Sequence, residues 1–496
     1  MAEPLLKAVD IDKSFVGVHA LKKVNLTIMP GEIHCLAGEN GCGKSTLIKV
    51  ISGVYAPDSG HIEFEGNSYQ KITPMQAIDA GIQVIYQDFS IFPNLTVKEN
   101  LALNMELASK KKLVNWKEVE TIAREAISKI DFKVDLEAKL GDLSVAEKQM
   151  VAICRALMFK AKLIIMDEPT TSLTKREVER LFKVILGLKQ QGIATLFVSH
   201  KLNEVFEISE KYTILRSGEL VSSGSTADLD NETFTYYMTG RRFEATHFVP
   251  ENVSKDPIME AKGLSLAGSY SDVDFSLHKG EILGITGLLD SGRTELALSL
   301  FGFEPATGGQ LLVNGNPVKF KTPRDAIHSK VGFVPEDRLS EGLFLPQSIA
   351  DNIVISEIDK LRTKLKTMDF PKRQEEVNRW VKELSIATPN PENACLTLSG
   401  GNQQKIVLAK WLACDLDIMI LNGPTVGVDI GSKHDIHAIL RTLAAKGMGI
   451  IIISDDLPEI IENCSSLLIM KGGKIVKQMD MIKEKPDEKA ILGYMM

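Results

Sequence analysis

Residues 38–46 read Gly38-Glu39-Asn40-Gly41-Cys42-Gly43-Lys44-Ser45-Thr46. The stretch has the form G-x-x-x-x-G-K-[ST]. An apolar run from Ile33 leads into it, and Lys44–Ser52 has the pattern of a helix. A strand, a glycine-rich loop and a helix in this order wrap backbone N–H groups around a phosphate, and the helix N-terminus adds partial positive charge. Lys44 then reaches the outer phosphates, and the Ser45 hydroxyl suits Mg²⁺. Cys42 sits inside the loop at a helix N-terminus, a place expected to favour its thiolate. The plainer role for Cys42 is that of a small residue in the place of alanine.

The same frame recurs. Residues 287–295 read Gly-Leu-Leu-Asp-Ser-Gly-Arg-Thr-Glu, an offset of 249 (287 − 38). Gln87 and Glu336 keep that offset. Leu143 and Leu398, Asp167 and Asn422, and His200 and Asp455 are all 255 apart (398 − 143). A repeat in register over such a length marks a duplicated domain. The expected division is 1–243, a linker at 244–257 and 258–496. The linker carries two prolines and no helical or strand period. Within each half, apolar runs of strand length alternate with helical stretches, the pattern of a mostly parallel sheet flanked by helices. Residues 97–130 and 370–386 are helical in character and suggest a helical subdomain.

In the first half, Leu163-Ile-Ile-Met-Asp-Glu-Pro ends an apolar strand with two acids. Asp167 suits the Mg²⁺ shell, and Glu168 is placed to polarise an attacking water. Gln87 and His200 each follow an apolar strand. Relative to the loop, Gln87 is expected at Mg²⁺ and the water, and His200 at the γ-phosphate. Phe15, 23 residues before the loop, is an aromatic that stacks on adenine or else packs in the core. In the second half, Arg293 replaces the lysine, and its planar fork is no equal substitute for a point charge. Thr294 keeps the hydroxyl. Asn422 stands for the magnesium acid and Gly423 for the catalytic glutamate. Glu336 and Asp455 add negative charge.

Composition narrows the class. The 496 residues carry a net charge of −7 and are 44% hydrophobic and 25% charged. This balance argues against broad electrostatic binding to nucleic acid or anionic lipid. Six scattered cysteines without a CxxC pair read as reduced thiols. The N-terminus, Met-Ala-Glu-Pro-Leu-Leu, lacks the basic start and apolar stretch of a signal peptide. No apolar run approaches the roughly 20 residues that cross a bilayer. Any membrane role is expected to come through a partner.

These motifs in this order resemble the ATP-binding-cassette (ABC) ATPases of the P-loop NTPase fold. The decisive one is Leu398-Ser399-Gly400-Gly401-Asn402-Gln403-Gln404-Lys405, similar to the family's signature sequence. Two fused cassettes, the Pro335-Glu-Asp-Arg segment, Asn402 and Arg293 look like the ATPase subunit of bacterial carbohydrate importers of the ribose, galactose and xylose type. The resemblance implies tandem α/β cassettes, each with a mostly parallel sheet core, an antiparallel β portion and a helical subdomain. It implies ATP and Mg²⁺ as ligands, integral membrane permease subunits as partners, and a solute-binding protein that delivers the sugar. Neither nucleic acid nor direct sugar contact is expected. The place implied is the cytoplasmic face of the bacterial inner membrane, held there through the permease.

Such cassettes pair head to tail, so that the signature of one half caps the nucleotide of the other. Ser399 and the Gly400 and Gly401 amides would offer donors to the γ-phosphate of ATP on the first loop. The first half's own signature, Leu143-Ser-Val-Ala-Glu, lacks both glycines. The family usually keeps its Asp-Glu pair in the second cassette, and Asn422-Gly423 departs from that. One hydrolytic site and one structural or regulatory pocket are therefore expected. Rival readings are import of nucleosides or a furanose signal, and a soluble double-cassette ATPase acting on ribosomes or DNA. The short linker and acidic balance disfavour the soluble one.

Overall fold

A computed structural model describes residues 3–86, 91–109, 114–128, 130, 132–170, 173, 175–199, 201–243, 247–250, 253–288 and 290–496. The chain divides into two compact units, Met1–Phe243 and Glu244–Met496. The segment expected as a linker falls with the second unit. There the Phe248 N–H donates to the Glu462 carbonyl (2.9 Å), and Phe248 packs against that unit's core.

Among its described residues the first unit has ten strands: β1 (Leu6–Phe15), β2 (Val18–Ile28), β3 (Ile33–Ala37), β4 (Ser59–Phe64), β5 (Asn67–Tyr69), β6 (Ile82–Ile85), β7 (Leu163–Asp167), β8 (Ala194–Val198), β9 (Lys211–Arg216) and β10 (Glu219–Ser225). Four make an antiparallel sheet, β2-β1-β4-β5. Six make the main sheet, β10-β9-β3-β8-β7-β6, parallel except for β10. Its inner strands are apolar along their length because helices cover both faces. Leu163–Met166 and Ala194–Val198 are fully buried. Helices Val97–Ser109, Trp116–Ser128 and Val145–Met158 form the helical subdomain around Val97, Leu101, Ala123, Ala126, Val151 and Cys154.

The second unit repeats this plan. It has β11 (Pro257–Leu266), β12 (Tyr270–His278), β13 (Ile282–Gly287), β14 (Gly308–Val313), β15 (Asn316–Val318), β16 (Val331–Val334), β17 (Ile418–Asn422), β18 (Gly449–Ile453), β19 (Ser466–Lys471) and β20 (Lys474–Asp480). The antiparallel sheet runs β12-β11-β14-β15 and the main sheet β16-β17-β18-β13-β19-β20. In both units the glycine-rich loop leaves the carboxyl end of a strand beside the ends of two parallel neighbours. That is where open α/β sheets bind ligands. All six cysteines are free thiols. Among the described residues no helix is long and apolar enough to cross a membrane.

Candidate functional site

In the first unit the loop turns tightly between β3 and the helix Lys44–Ile51. A Cβ on Gly38 would lie 2.3 Å from the Leu215 carbonyl oxygen and 2.4 Å from Cys42 Sγ, so no side chain fits. Gly43, the N-cap, has φ 111°. Lys44 is only 6% exposed. Its Nζ donates to the carbonyls of Gly38 (2.6 Å) and Glu39 (2.9 Å), which folds the lysine across the loop. Asn40, Gly41 and Ser45 are exposed, and Thr46 is half-buried. Cys42 corrects an expectation. It is 4% exposed, tucked under Gly38, and burial pushes its thiol up while Lys44 pulls it down by less. Burial outweighs the helix N-terminus, and the residue fills space.

Asp167 ends β7, and Glu168 follows in the left-handed region at φ 47°. The Glu168 N–H donates to the Val198 carbonyl at the end of β8 (3.1 Å), which fixes the kink. Burial raises the Asp167 carboxyl, the Glu168 charge raises it further, and Lys44 and Lys49 pull it down. The half-buried Asp167 carboxylate and the exposed Ser45 hydroxyl together offer a hard oxygen donor set. It suits Mg²⁺, which takes few protein ligands and completes its shell with phosphates and water. Gln87 and His200 lie outside the described residues. Behind the acids, Glu204 Oε2 accepts from Thr170 Oγ1 (2.6 Å) and Ser199 Oγ (2.9 Å). Lys201 Nζ lies 3.1 Å from Glu204 Oε1. The sequence reading missed this brace. Its only signal is that Glu459 repeats Glu204 at the offset of 255 (459 − 204). Phe15 is 41% exposed at the end of β1, edge-on to Tyr55 at 5.2 Å, so its ring is not core.

The second loop also ends in a left-handed glycine but makes different contacts. Gly292 caps the helix Arg293–Phe301 at φ 88°. Arg293 is 7% exposed, but its Nη2 lies 3.7 Å from Asp455 Oδ2. Thr294 is half-buried in the first helical turn. Asn422 Nδ2 faces Glu336 Oε2 at 3.5 Å. Gly423 takes the left-handed conformation of Glu168, at φ 57°, and its N–H donates to the Ile453 carbonyl (2.8 Å). A Cβ there would meet Val426 Cγ2 at 2.8 Å and Glu336 Cγ at 3.2 Å.

The two signature helices differ at their first turn. Ser144 caps Val145–Met158 in a closed box. Its Oγ and its N–H both donate to Glu147 Oε2, at 2.8 and 2.9 Å. A carboxylate thus sits on that N-terminus and takes the N-cap N–H, while Ser144 Oγ accepts from the Glu147 N–H (3.3 Å). Ser399 caps Gly400–Leu412 with no side-chain hydrogen bond to the helix N–H groups among the described residues. Asn402 is turned to its own domain: it donates to Ser399 Oγ (3.0 Å) and accepts from the Ala387 N–H (2.8 Å). A Cβ on Gly401 would lie 1.9 Å from Ser432 Oγ. The glycine lets two helices pack there.

A family model described as ABC transporter matches residues 21–171 and again 270–426. The chain belongs to the ABC transporter family. Its two units are ATP-binding cassettes of the kind that binds ATP and ADP. The ribose import ATP-binding protein RbsA of Clostridium perfringens (strain 13 / Type A) is 40% identical, over 96% of this chain and 95% of that protein. The protein of that name from Bacillus subtilis (strain 168) is 37% identical, over 94% of each. A putative ribose/galactose/methyl galactoside import ATP-binding protein of Halalkalibacterium halodurans is 36% identical, over 99% of this chain and 94% of that protein. A solved ATP-binding cassette of an ABC transporter in its ADP conformation is 27% identical. It covers 48% of this chain and 100% of its own, with a TM-score of 0.43.

The first cassette brings Lys44, Ser45, Asp167 and Glu168 to the ends of β3 and β7. The second brings Ser399, Gly400, Gly401 and Asn402 to the start of its signature helix. It also sets Arg293 and Thr294 at the start of the loop helix.

Proposed function

We propose that this chain is the ATP-hydrolysing subunit of a bacterial ABC importer for a monosaccharide. The sugar-import names of relatives that align along nearly the whole chain support the transport class. One observation carries the mechanism: the working acids lie in the first cassette, whereas the signature without a carboxylate on its N-terminus lies in the second.

ATP on the first loop is gripped by backbone N–H groups and Lys44. Glu168 accepts a proton from the attacking water, and the left-handed kink carries this carboxylate past the end of β7. Ser45, Asp167 and Gln87 would hold Mg²⁺, which spreads the negative charge of the phosphates. Phe15 offers an exposed ring for the adenine, and His200 serves the γ-phosphate. Ser399 and the Gly400 and Gly401 N–H groups cap that phosphate from the second cassette, with Asn402 fixing the serine. At the second loop, Arg293 and Thr294 would hold phosphate, but no general base stands at Gly423. Loss of a general base alone costs about 10²–10⁴ in rate. Closure of the cassettes on ATP moves a membrane permease, and hydrolysis resets them. The chain lies at the cytoplasmic face of the membrane through that permease, and a solute-binding protein supplies the sugar.

The test is ATPase stimulation in a reconstituted complex with the permease, using binding proteins loaded with ribose, galactose, xylose or nucleosides. Stimulation by a loaded monosaccharide is expected. Stimulation by nucleosides alone would replace the substrate class, and co-purification with ribosomes or DNA instead of a membrane protein would overturn the transport reading.

A further inference from the structure

Arg338 follows Glu336 and Asp337 just beyond β16. Asp337 makes the turn rigid. Its Oδ1 accepts from the N–H groups of Leu339 (2.9 Å) and Ser340 (3.3 Å), and its Oδ2 from Ser340 Oγ (2.6 Å). The turn aims the arginine across the domain. Nη1 donates to the Val426 carbonyl (2.6 Å) and Nη2 to the Gly427 carbonyl (2.9 Å). Those carbonyls belong to the turn that follows Asn422-Gly423. On its other side the guanidinium covers the start of the signature helix. A Cβ on Gly400 would lie 2.6 Å from Nη2 and 3.1 Å from the Gly427 carbonyl oxygen. Burial pulls the guanidinium below its ordinary value, and Asp337 opposes this. Arginine stays charged regardless, and a cation at that N-terminus is held only because two carbonyls face it.

We infer that Arg338 is a positioning residue for ATP turnover: it clamps the Val426–Gly427 turn to the Gly400 start of the signature helix. The inference rests on the reading that this signature caps ATP on the first loop. The arginine reaches the two carbonyls with two separate nitrogens held in one rigid plane. The clamp occurs beside the signature that keeps its glycines. At the offset of 249 the first cassette has Phe89, which cannot make it and lies outside the described residues. A helix start displaced by an ångström would pull the Gly400 and Gly401 amides off the phosphate, a shift that costs about 10²-fold in rate.

The full-length chain is assayed for ATPase kcat and KM, for affinity for a fluorescent ATP analogue, and for melting temperature. Arg338→Ala is expected to lower kcat about 10²-fold, with analogue affinity unchanged because that nucleotide rests on the first loop. Arg338→Lys keeps the charge, folds, and fails to rescue kcat, because its nitrogen stops at the place of Cζ, one bond short of the two nitrogens that hold the carbonyls. In a Ser399→Arg background, Arg338→Lys adds no further loss. Wild-type kcat in Arg338→Lys, with Ser399→Arg inactive, overturns the inference alone. So does a fall in analogue affinity that parallels the fall in melting temperature. Full activity in Ser399→Arg removes the underlying reading, and the inference with it.

Discussion

At the end of β7 and of β17 the backbone makes the same left-handed kink, tied by the same hydrogen bond to the next strand. The first cassette places Asp167 and Glu168 there, the second Asn422 and Gly423. A residue with a side chain in that conformation costs about 1–2 kcal/mol that glycine avoids. Burial works against the Asp167 charge, whereas an amide at 422 carries none. The second cassette has thus shed both strained features of its site, and its fold around them is unchanged.

The sharpest way to break the comparison is Glu168→Gln. Steady-state ATPase is expected to fall by about 10²–10⁴, and substantial residual turnover would show that the second cassette hydrolyses after all. Putting the glutamate back is the converse. Gly423→Glu in that background gains no activity, because its Cβ meets Val426 and its carboxylate would join that of Glu336. It also lowers the melting temperature by about 2–4 °C per kcal/mol of added strain.

The acids give a smaller, opposite effect on stability. The folded Asp167 value is raised, so its stabilising contribution is present below the ordinary 3.8 and is lost as pH rises through the folded value. At neutral pH the ionised group is a load. Asp167→Asn should therefore melt higher while losing hydrolysis, by about 2–4 °C for each kcal/mol of relieved burial. Asn422→Asp, beside Glu336, should melt lower. A lower melting point for Asp167→Asn would sink the argument. The smallest effect is at Cys42. Its raised thiol value predicts alkylation slower than a free thiol at pH 7, faster as pH rises, and slowed further by ATP. Reaction at the rate of a free thiol would disprove its burial.

The loops, the paired acids and both signatures were legible because each needs fixed residue types at fixed spacing. The constant offsets of 249 and 255 carried them from one half to the other. What escaped were contacts between segments far apart in sequence. The Arg338 clamp joins positions 88 residues apart. The Glu204 and Glu459 braces bond across 34. Cys42 misled because a helix N-terminus is visible in sequence and the burial beneath Gly38 is not. The Ser144–Glu147 box was readable as S-x-x-E, yet its consequence, a carboxylate resting on that helix start, depends on the folded geometry.

Glu459, 1% exposed, accepts from Thr425 and is backed by the buried His437 at 2.9 Å. At the matching position the first cassette has Phe182, and Glu204 is secured instead by Lys201, which reaches it from the half-exposed side. The second cassette's strand ends are bolted from within; those of the first are latched from without. The strand ends of the first cassette therefore rest on an ion pair open to solvent, where those of the second rest on a buried imidazole.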